Sequence, residues 1–367
     1  MVRLRNCVVV IVVAILLVAG SLAIPGLADG GPNHQVRNLH FGVSGGNVND
    51  SSRRFCCSGT LGSLLTDGTT QYILSNNHVL ARSDQASPGE DISQPGLIDN
   101  NCQIPPIVAD FTVASPLGSN VDAAIAQLRT GQMDPTGFIE DVGIPASAVQ
   151  SPSVGLSVAK SGRTTGFTTG TISSINTSVN VQYQASCGQG KKFVVSYTDQ
   201  VVINSSTFSA GGDSGSLIVS NAGHNPVALL FAGSSTTTIG NPAGPVLSAL
   251  STSLGRTLTF VGIGAPIAPI QNLKSEMQPL VRGVGGDMQQ LPQHAADRAR
   301  AVLEVHRNNL MATPGVVGAG VGAAADNDAE GAIVVYVDKT ASFRPQFGAA
   351  LDGVKVKVVF TDPFVAF

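Results

Sequence analysis

Ser214 stands in Gly211-Gly212-Asp213-Ser214-Gly215-Ser216, and an apolar segment, Ser216 to Val219, follows at once. This arrangement constrains the fold on two counts. Glycine lets a turn take backbone conformations that bulkier residues resist, so a serine held between glycines can lie exposed beside free backbone N–H groups. A strand directly after the serine argues against an elbow that passes from strand through nucleophile into helix.

The same punctuation runs through most of the chain. From about Arg37 to Leu258, short alternating or apolar runs are separated by Gly, Asn, Asp and Ser, which is the pattern of an all-β region. Composition agrees, with 42 glycines, 43% hydrophobic and only 12% charged residues. Gly59 to Leu65, Asp67-Gly68 and Gln71 to Ser75 read as a hairpin whose second strand delivers His78 into a loop. Pro226 to Phe231 reads as the partner of the strand after Ser214, joined to it across Asn221-Ala222-Gly223.

The two ends differ from this body. Arg3 and Arg5, an apolar run from Cys7 to Ile24 and the small residues up to Ala28 read as an export signal over 1–28, cleaved after Ala28 or kept as a membrane anchor. The body, 29–270, is followed by a polar, Gly-containing linker at 271–289 and by a small α+β unit at 290–367. In that unit Ala295 to Leu310 is helical, with Ala299, Val302, Leu303 and Leu310 on one side. Gly315 to Gly322, Ala332 to Val337 and Val354 to Phe360 are its strands.

Export gives the cysteines a meaning, because disulfides persist outside the cytoplasm. Once Cys7 leaves with the signal, Cys56, Cys57, Cys102 and Cys187 remain, and four cysteines allow three pairings. The pairing that joins the adjacent Cys56 and Cys57 strains disulfide geometry, which leaves two that tie this pair to Cys102 and Cys187. No spacing suggests a zinc site. A net charge of −3 gives no reason to expect a nucleic-acid partner.

Three residues carry candidate chemistry. Hydrolysis of a peptide bond needs a nucleophile, a base that takes its proton and returns it to the leaving amine, and donors for the oxyanion. Ser214 fits the nucleophile, His78 in Ser75-Asn76-Asn77-His78-Val79 the base, and Asp122 in Val121-Asp122-Ala123-Ala124 the carboxylate that fixes the imidazole tautomer. The backbone N–H groups of Gly212 and Ser214 would hold the oxyanion. Such chemistry needs no cofactor, and its partner is a peptide or protein substrate. Taken singly, each residue reads equally as an ordinary loop or turn residue; their order and spacing raise them together.

On these segments, with Ser161-Gly162-Arg163-Thr164-Thr165-Gly166 and Phe231-Ala232-Gly233-Ser234, the stretch from about Phe41 to Leu258 resembles the chymotrypsin-fold serine proteases of the bacterial trypsin-like type. The resemblance implies a double β-barrel with the three residues in the cleft between the barrels. It also implies that Gly233 lies along the substrate backbone and that Phe208 lines the primary specificity pocket. With no acid at Phe208, a preference for Lys or Arg is not indicated. Ser216 stands where the family usually has Gly, and no Ile-Val-Gly-Gly start is present for activation by a new N-terminus. Asp213 therefore needs another cation, and Arg163 is expected to pair with it. The C-terminal unit resembles a small domain that accompanies some bacterial members through Pro314 to Gly318 and Val335 to Asp338, and reads as a propeptide-like inhibitor or chaperone, a docking module or an inert appendage. The opposing reading of the whole is a binding module on a protease fold, catalytically silent because its cleft is blocked or misaligned.

Overall fold

The computed structural model describes residues 34–264, 290–325 and 327–367, so the expected signal or anchor and the linker at 271–289 lie outside the described residues. The first half of the body carries β1 (Val43–Asn47), β2 (Gly59–Leu61), β3 (Ser63–Thr66), β4 (Gln71–Ser75), the one-turn helix α1 (Asn77–Leu80), β5 (Asp91–Ser93), β6 (Ile107–Ala114) and β7 (Ala124–Leu128). The second carries β8 (Ser157–Gly162), β9 (Gly166–Thr171), β10 (Ser174–Ser186), β11 (Gln189–Asn204), β12 (Leu217–Ser220), β13 (Pro226–Gly233), β14 (Thr237–Pro242), helix α2 (Ala243–Leu254) and β15 (Thr259–Phe260). The C-terminal region follows with α3 (Gln293–Ala312), β16 (Val316–Ala323), β17 (Gly331–Asp338), β18 (Ala350–Leu351), β19 (Val354–Thr361) and β20 (Phe364–Ala366).

These strands form two large sheets, with a region of one helix and five strands at the C-terminus. The first sheet has eight strands in the order β15-β3-β4-β7-β6-β5-β1-β2, so β15 returns from the end of the second half to pair with β3. Its interior holds Leu64, Ile73, Leu74, Val108, Ile125 and Phe260. The hairpin expected before His78 is present, with Thr66 opposite Gln71 across the turn.

The second sheet does not stop at the body. It runs through twelve strands, because β16 pairs antiparallel with β10, setting Ser174 against Gly322 and Val179 against Gly318. Strand β10 can serve two neighbours because its residues alternate, with Val179, Val181 and Tyr183 buried and Asn180 and Gln182 half-buried between them. Helix α3 covers the far side of this sheet and buries Ala296, Ala299, Leu303 and Leu310. Those residues share one hydrophobic cluster with Val158, Ile218 and Leu230 of the body and with Val321, Ile333 and Val335 of the C-terminal region. Val302, expected on the same helix face, packs at the edge of that cluster and is only partly buried.

Two disulfides form, Cys56–Cys102 and Cys57–Cys187, with Cα–Cα distances of 5.6 Å and 5.7 Å. The first lies within the first half; the second ties that half to the tip of the β10–β11 hairpin. Replacing both Cys57 and Cys187 by serine is expected to cost about 2–4 kcal/mol of stability, since the bridge closes a long loop in the unfolded chain. Denaturant unfolding checks this, and an unchanged midpoint would contradict it.

Candidate active site

Register places the first two candidates side by side. Strand β4 ends at Ser75, paired with Ala124 of β7, so the residues just beyond β4 face those just before β7. His78 thus meets Asp122: its Nδ1–H donates to Asp122 Oδ2 at 2.7 Å, and its backbone N–H to Oδ1 at 3.2 Å. Asn76 Nδ2 donates to the Asp122 carbonyl at 2.7 Å and Asn241 Oδ1 accepts the Asp122 N–H at 3.0 Å, so the loop is pinned on both sides.

Asp122 is fully buried. A buried carboxylate needs several donors, and the third comes from Tyr183, whose hydroxyl donates to Asp122 Oδ2 at 2.8 Å and lies 2.6 Å from the Tyr197 hydroxyl. Burial and the neighbouring Asp122 charge push the Tyr183 phenol well above its ordinary value, so it stays protonated and able to donate. Tyr183 was not anticipated from the sequence. Tyr183→Phe removes a hydrogen bond to a buried charge, worth about 1.5–3 kcal/mol, and is expected to lower kcat about 10-fold or more with little change in KM. Steady-state kinetics tests this; an unaltered kcat would remove Tyr183 from the positioning of Asp122.

Burial acts to lower the His78 pKa, but the Asp122 charge, the bond to it, the Phe367 carbonyl and the Asp50 charge outweigh burial, so His78 titrates above its usual value. Both ring nitrogens are engaged, since Nε2 lies 3.1 Å from the Phe367 carbonyl oxygen. Acceptors at both ring nitrogens, the Asp122 carboxylate at Nδ1 and the Phe367 carbonyl at Nε2, favour the protonated form of the ring.

Ser214 Oγ donates to the Phe231 carbonyl at 3.1 Å. The turn that carries it is held by Thr60, whose N–H donates to the Ser214 carbonyl at 2.8 Å and whose Oγ1 donates to the Gly212 carbonyl at 2.9 Å. Gly212 has φ +98°, and a Cβ there would stand 2.5 Å from Thr164 Oγ1 and 2.7 Å from Arg163 Nη1. Only glycine fits this position.

The cation beside Asp213 differs from expectation. Arg163 turns away to form a two-pronged contact with Asp99, Nε to Oδ2 and Nη2 to Oδ1 both at 2.6 Å. Lys160 takes its place, with Nζ 3.6 Å from Asp213 Oδ2 and both side chains fully buried. The reason lies in strand geometry. Lys160 sits within β8, where all residues from Val158 to Gly162 are buried, whereas Arg163 follows the strand end. Asp213 also accepts the Thr164, Thr165 and Ala210 N–H groups and the Thr165 hydroxyl, at 2.7–3.1 Å.

Phe208 is fully buried, its ring beside Gly170 and Ile203 and 6.0 Å from Lys160 Nζ. It belongs to the core cluster of the second sheet rather than to the open wall of the cleft. The cleft contains a cavity of about 300 Å³, bordered by Asp50, His78, Arg163, Tyr183, Gly212 and Phe367. Burial pushes Asp50 up to about 6, against the opposing pull of His78 and Arg82. Asp50 also lies near the sulfurs of Cys57 and Cys187, but these are joined to each other and offer no thiolate to a metal.

A model of peptidase family S64 matches residues 88–233, about two fifths of the chain. The chain resembles the chymotrypsin-fold serine proteases. A glutamic acid specific serine protease that uses a histidine triad in substrate binding is 22% identical, with a TM-score of 0.43, 60% of this chain and 100% of that one being covered. Protease A of Thermobifida fusca is 18% identical with a TM-score of 0.40, covering 61% and 98%. A chymotrypsin of Cellulomonas bogoriensis is 19% identical with a TM-score of 0.40, again covering 61% and 98%. No curated protein matches the sequence. A serine peptidase is thus the class of hydrolase that the matched family supports, with peptides or proteins as its substrates.

Proposed function

We propose that the chain is an exported serine endopeptidase that works through His78, Asp122 and Ser214 and an acyl-enzyme. Ser214 Oγ attacks the scissile carbonyl carbon and passes its proton to His78 Nε2. The imidazolium then gives that proton to the leaving amine, and water, activated in the same way, releases the acyl group and restores Ser214. Asp122 holds the imidazole tautomer and balances its charge. The N–H groups of Gly212 and Ser214 stabilise the oxyanion.

The observation that carries this reading is the fully buried Asp122 bonded at 2.7 Å to His78 Nδ1, with the Phe367 backbone linking His78 Nε2 to the Phe231 carbonyl that accepts the Ser214 hydroxyl. A structural histidine has no need of a desolvated carboxylate with two further donors aimed at it. Two disulfides suit a protein that works outside the cytoplasm. Incubation with a peptide library, read by mass spectrometry, should give products with protein shortened to end after Phe364, which removes Phe367 from beside His78, and none with the same protein carrying Ser214→Ala. Equal cleavage by the two would refute the assignment of Ser214.

A further inference from the structure

Strand β20 is the shortest link between the C-terminal region and the cleft. It lies between two strands of the body, antiparallel to β13, with Ala232 opposite Ala366 and Gly233 opposite Val365, and parallel to β10, with Val181 opposite Phe364. The Phe367 N–H donates to the Phe231 carbonyl at 3.4 Å, the same oxygen that takes the Ser214 hydroxyl. The Phe367 carbonyl oxygen then faces His78 Nε2 at 3.1 Å. Main-chain pairing to a sheet edge, with side chains in alternate pockets, is how extended peptides are commonly held.

The side chain of Phe367 has a defined seat. A Cβ on residue 233 would stand 2.6 Å from Phe367 Cζ and 2.9 Å from Cε2, so the ring lies against Gly233 where a larger residue would exclude it. It packs on the hydrophobic cluster that contains Phe208. Upstream, Phe364 is buried beside Tyr336, the Thr361 hydroxyl lies 2.7 Å from that of Ser234, and Asp362 meets Lys339 at 3.1 Å and the Ser235 hydroxyl. These contacts fix the register in which residues 365–367 enter the cleft.

We propose that Phe364–Phe367 occupies the cleft as a substrate-like strand with Phe367 in the primary specificity position, so that the tail blocks the enzyme in cis and marks a preference for cleavage after phenylalanine or a similar large apolar residue. The proposal rests on the peptidase reading. It accounts for the orientation of the two catalytic candidates, since His78 Nε2 faces the tail carbonyl and the Ser214 hydroxyl is donated to Phe231 instead of to His78. Tethering supplies an effective concentration on the order of millimolar, so a strand of modest affinity suffices to exclude peptides.

The test compares the full chain with a chain ending after Phe364, which keeps that residue in its core, and with the full-length variant Phe367→Asp. Substrates are acyl-Val-Ala-Phe, acyl-Val-Ala-Lys and acyl-Val-Ala-Glu aminocoumarin amides. Both altered chains should cleave the Phe amide at least about 10-fold faster than the full chain, and the Lys and Glu amides about 100-fold more slowly than the Phe amide, because the Phe367 ring packs on a hydrophobic cluster, where a charge is costly. In the Ser214→Ala background, acetyl-Val-Ala-Phe should bind the shortened chain and not the full one. Equal rates and equal peptide binding with and without the tail would overturn the proposal. Peptide binding gained on shortening without any hydrolysis would keep the occupied cleft but overturn the peptidase reading on which the cleavage preference depends.

Discussion

In a tail-free background, Ser214→Ala and His78→Ala should each lower kcat by about 10⁴–10⁶, and the double variant by little more, because the two side chains act in one proton transfer. Multiplicative losses would contradict a shared step. The pH profile follows from the same pair. The free imidazole is the active form, so activity falls as pH drops through the His78 pKa, which lies above its ordinary value in the presence of Asp122. Asp50, Tyr183 and the tail carbonyl also face His78, and Arg82 lines the cavity near Asp50. Removing Phe367 takes away one acceptor that favours the imidazolium, so the acid limb should move to lower pH in the shortened chain. A limb unmoved by the loss of Phe367 would mean that its carbonyl does not hold the imidazolium.

Lys160→Met should be the most damaging single replacement for stability, costing about 3–5 kcal/mol, since it leaves the Asp213 carboxylate buried without a cation. Burial pushes Lys160 down to about 8, with Asp213 pulling it back up, so the ammonium remains charged at neutral pH. Adding Asp213→Asn should recover most of the loss. Arg163→Ala should cost less, because its partner Asp99 lies nearer to solvent, each side chain of that pair being slightly exposed. Denaturant unfolding of the four proteins decides this, and a larger loss for Arg163→Ala than for Lys160→Met would reverse the assignment of the structural cation. Because Asp213 adjoins Ser214, the Lys160 variant should also lose activity through a loosened oxyanion turn.

The division of the sequence into strands was readable because turns and apolar runs alternate so regularly. The hairpin before His78, the strands after Ser214 and the α3 helix all follow from local periodicity. Partner choice was less accessible. Lys160 and Arg163 lie three positions apart, and only the burial of β8 on both faces selects the lysine. Tyr183 reads as one more inward residue of an alternating strand, and its hydroxyl finds Asp122 only when the long hairpin folds across the cleft. The pairing of Cys57 with Cys187 likewise depends on where that hairpin ends. The tail carried a usable signal, because Phe364-Val365-Ala366-Phe367 is an apolar run after Asp362-Pro363. Its pairing with β13 and β10 joins residues more than a hundred positions apart, which no local pattern encodes.

Activation of Ser214 as a nucleophile can be read directly by covalent labelling. A fluorophosphonate reacts only with a serine whose proton a neighbouring base accepts, so the chain ending after Phe364 should gain one phosphonyl group, located by peptide mass spectrometry on Ser214. Labelling should disappear in His78→Ala, where Ser214 is present but its base is not. A folded, tail-free protein that takes up no label, or takes it up equally without His78, would contradict the account.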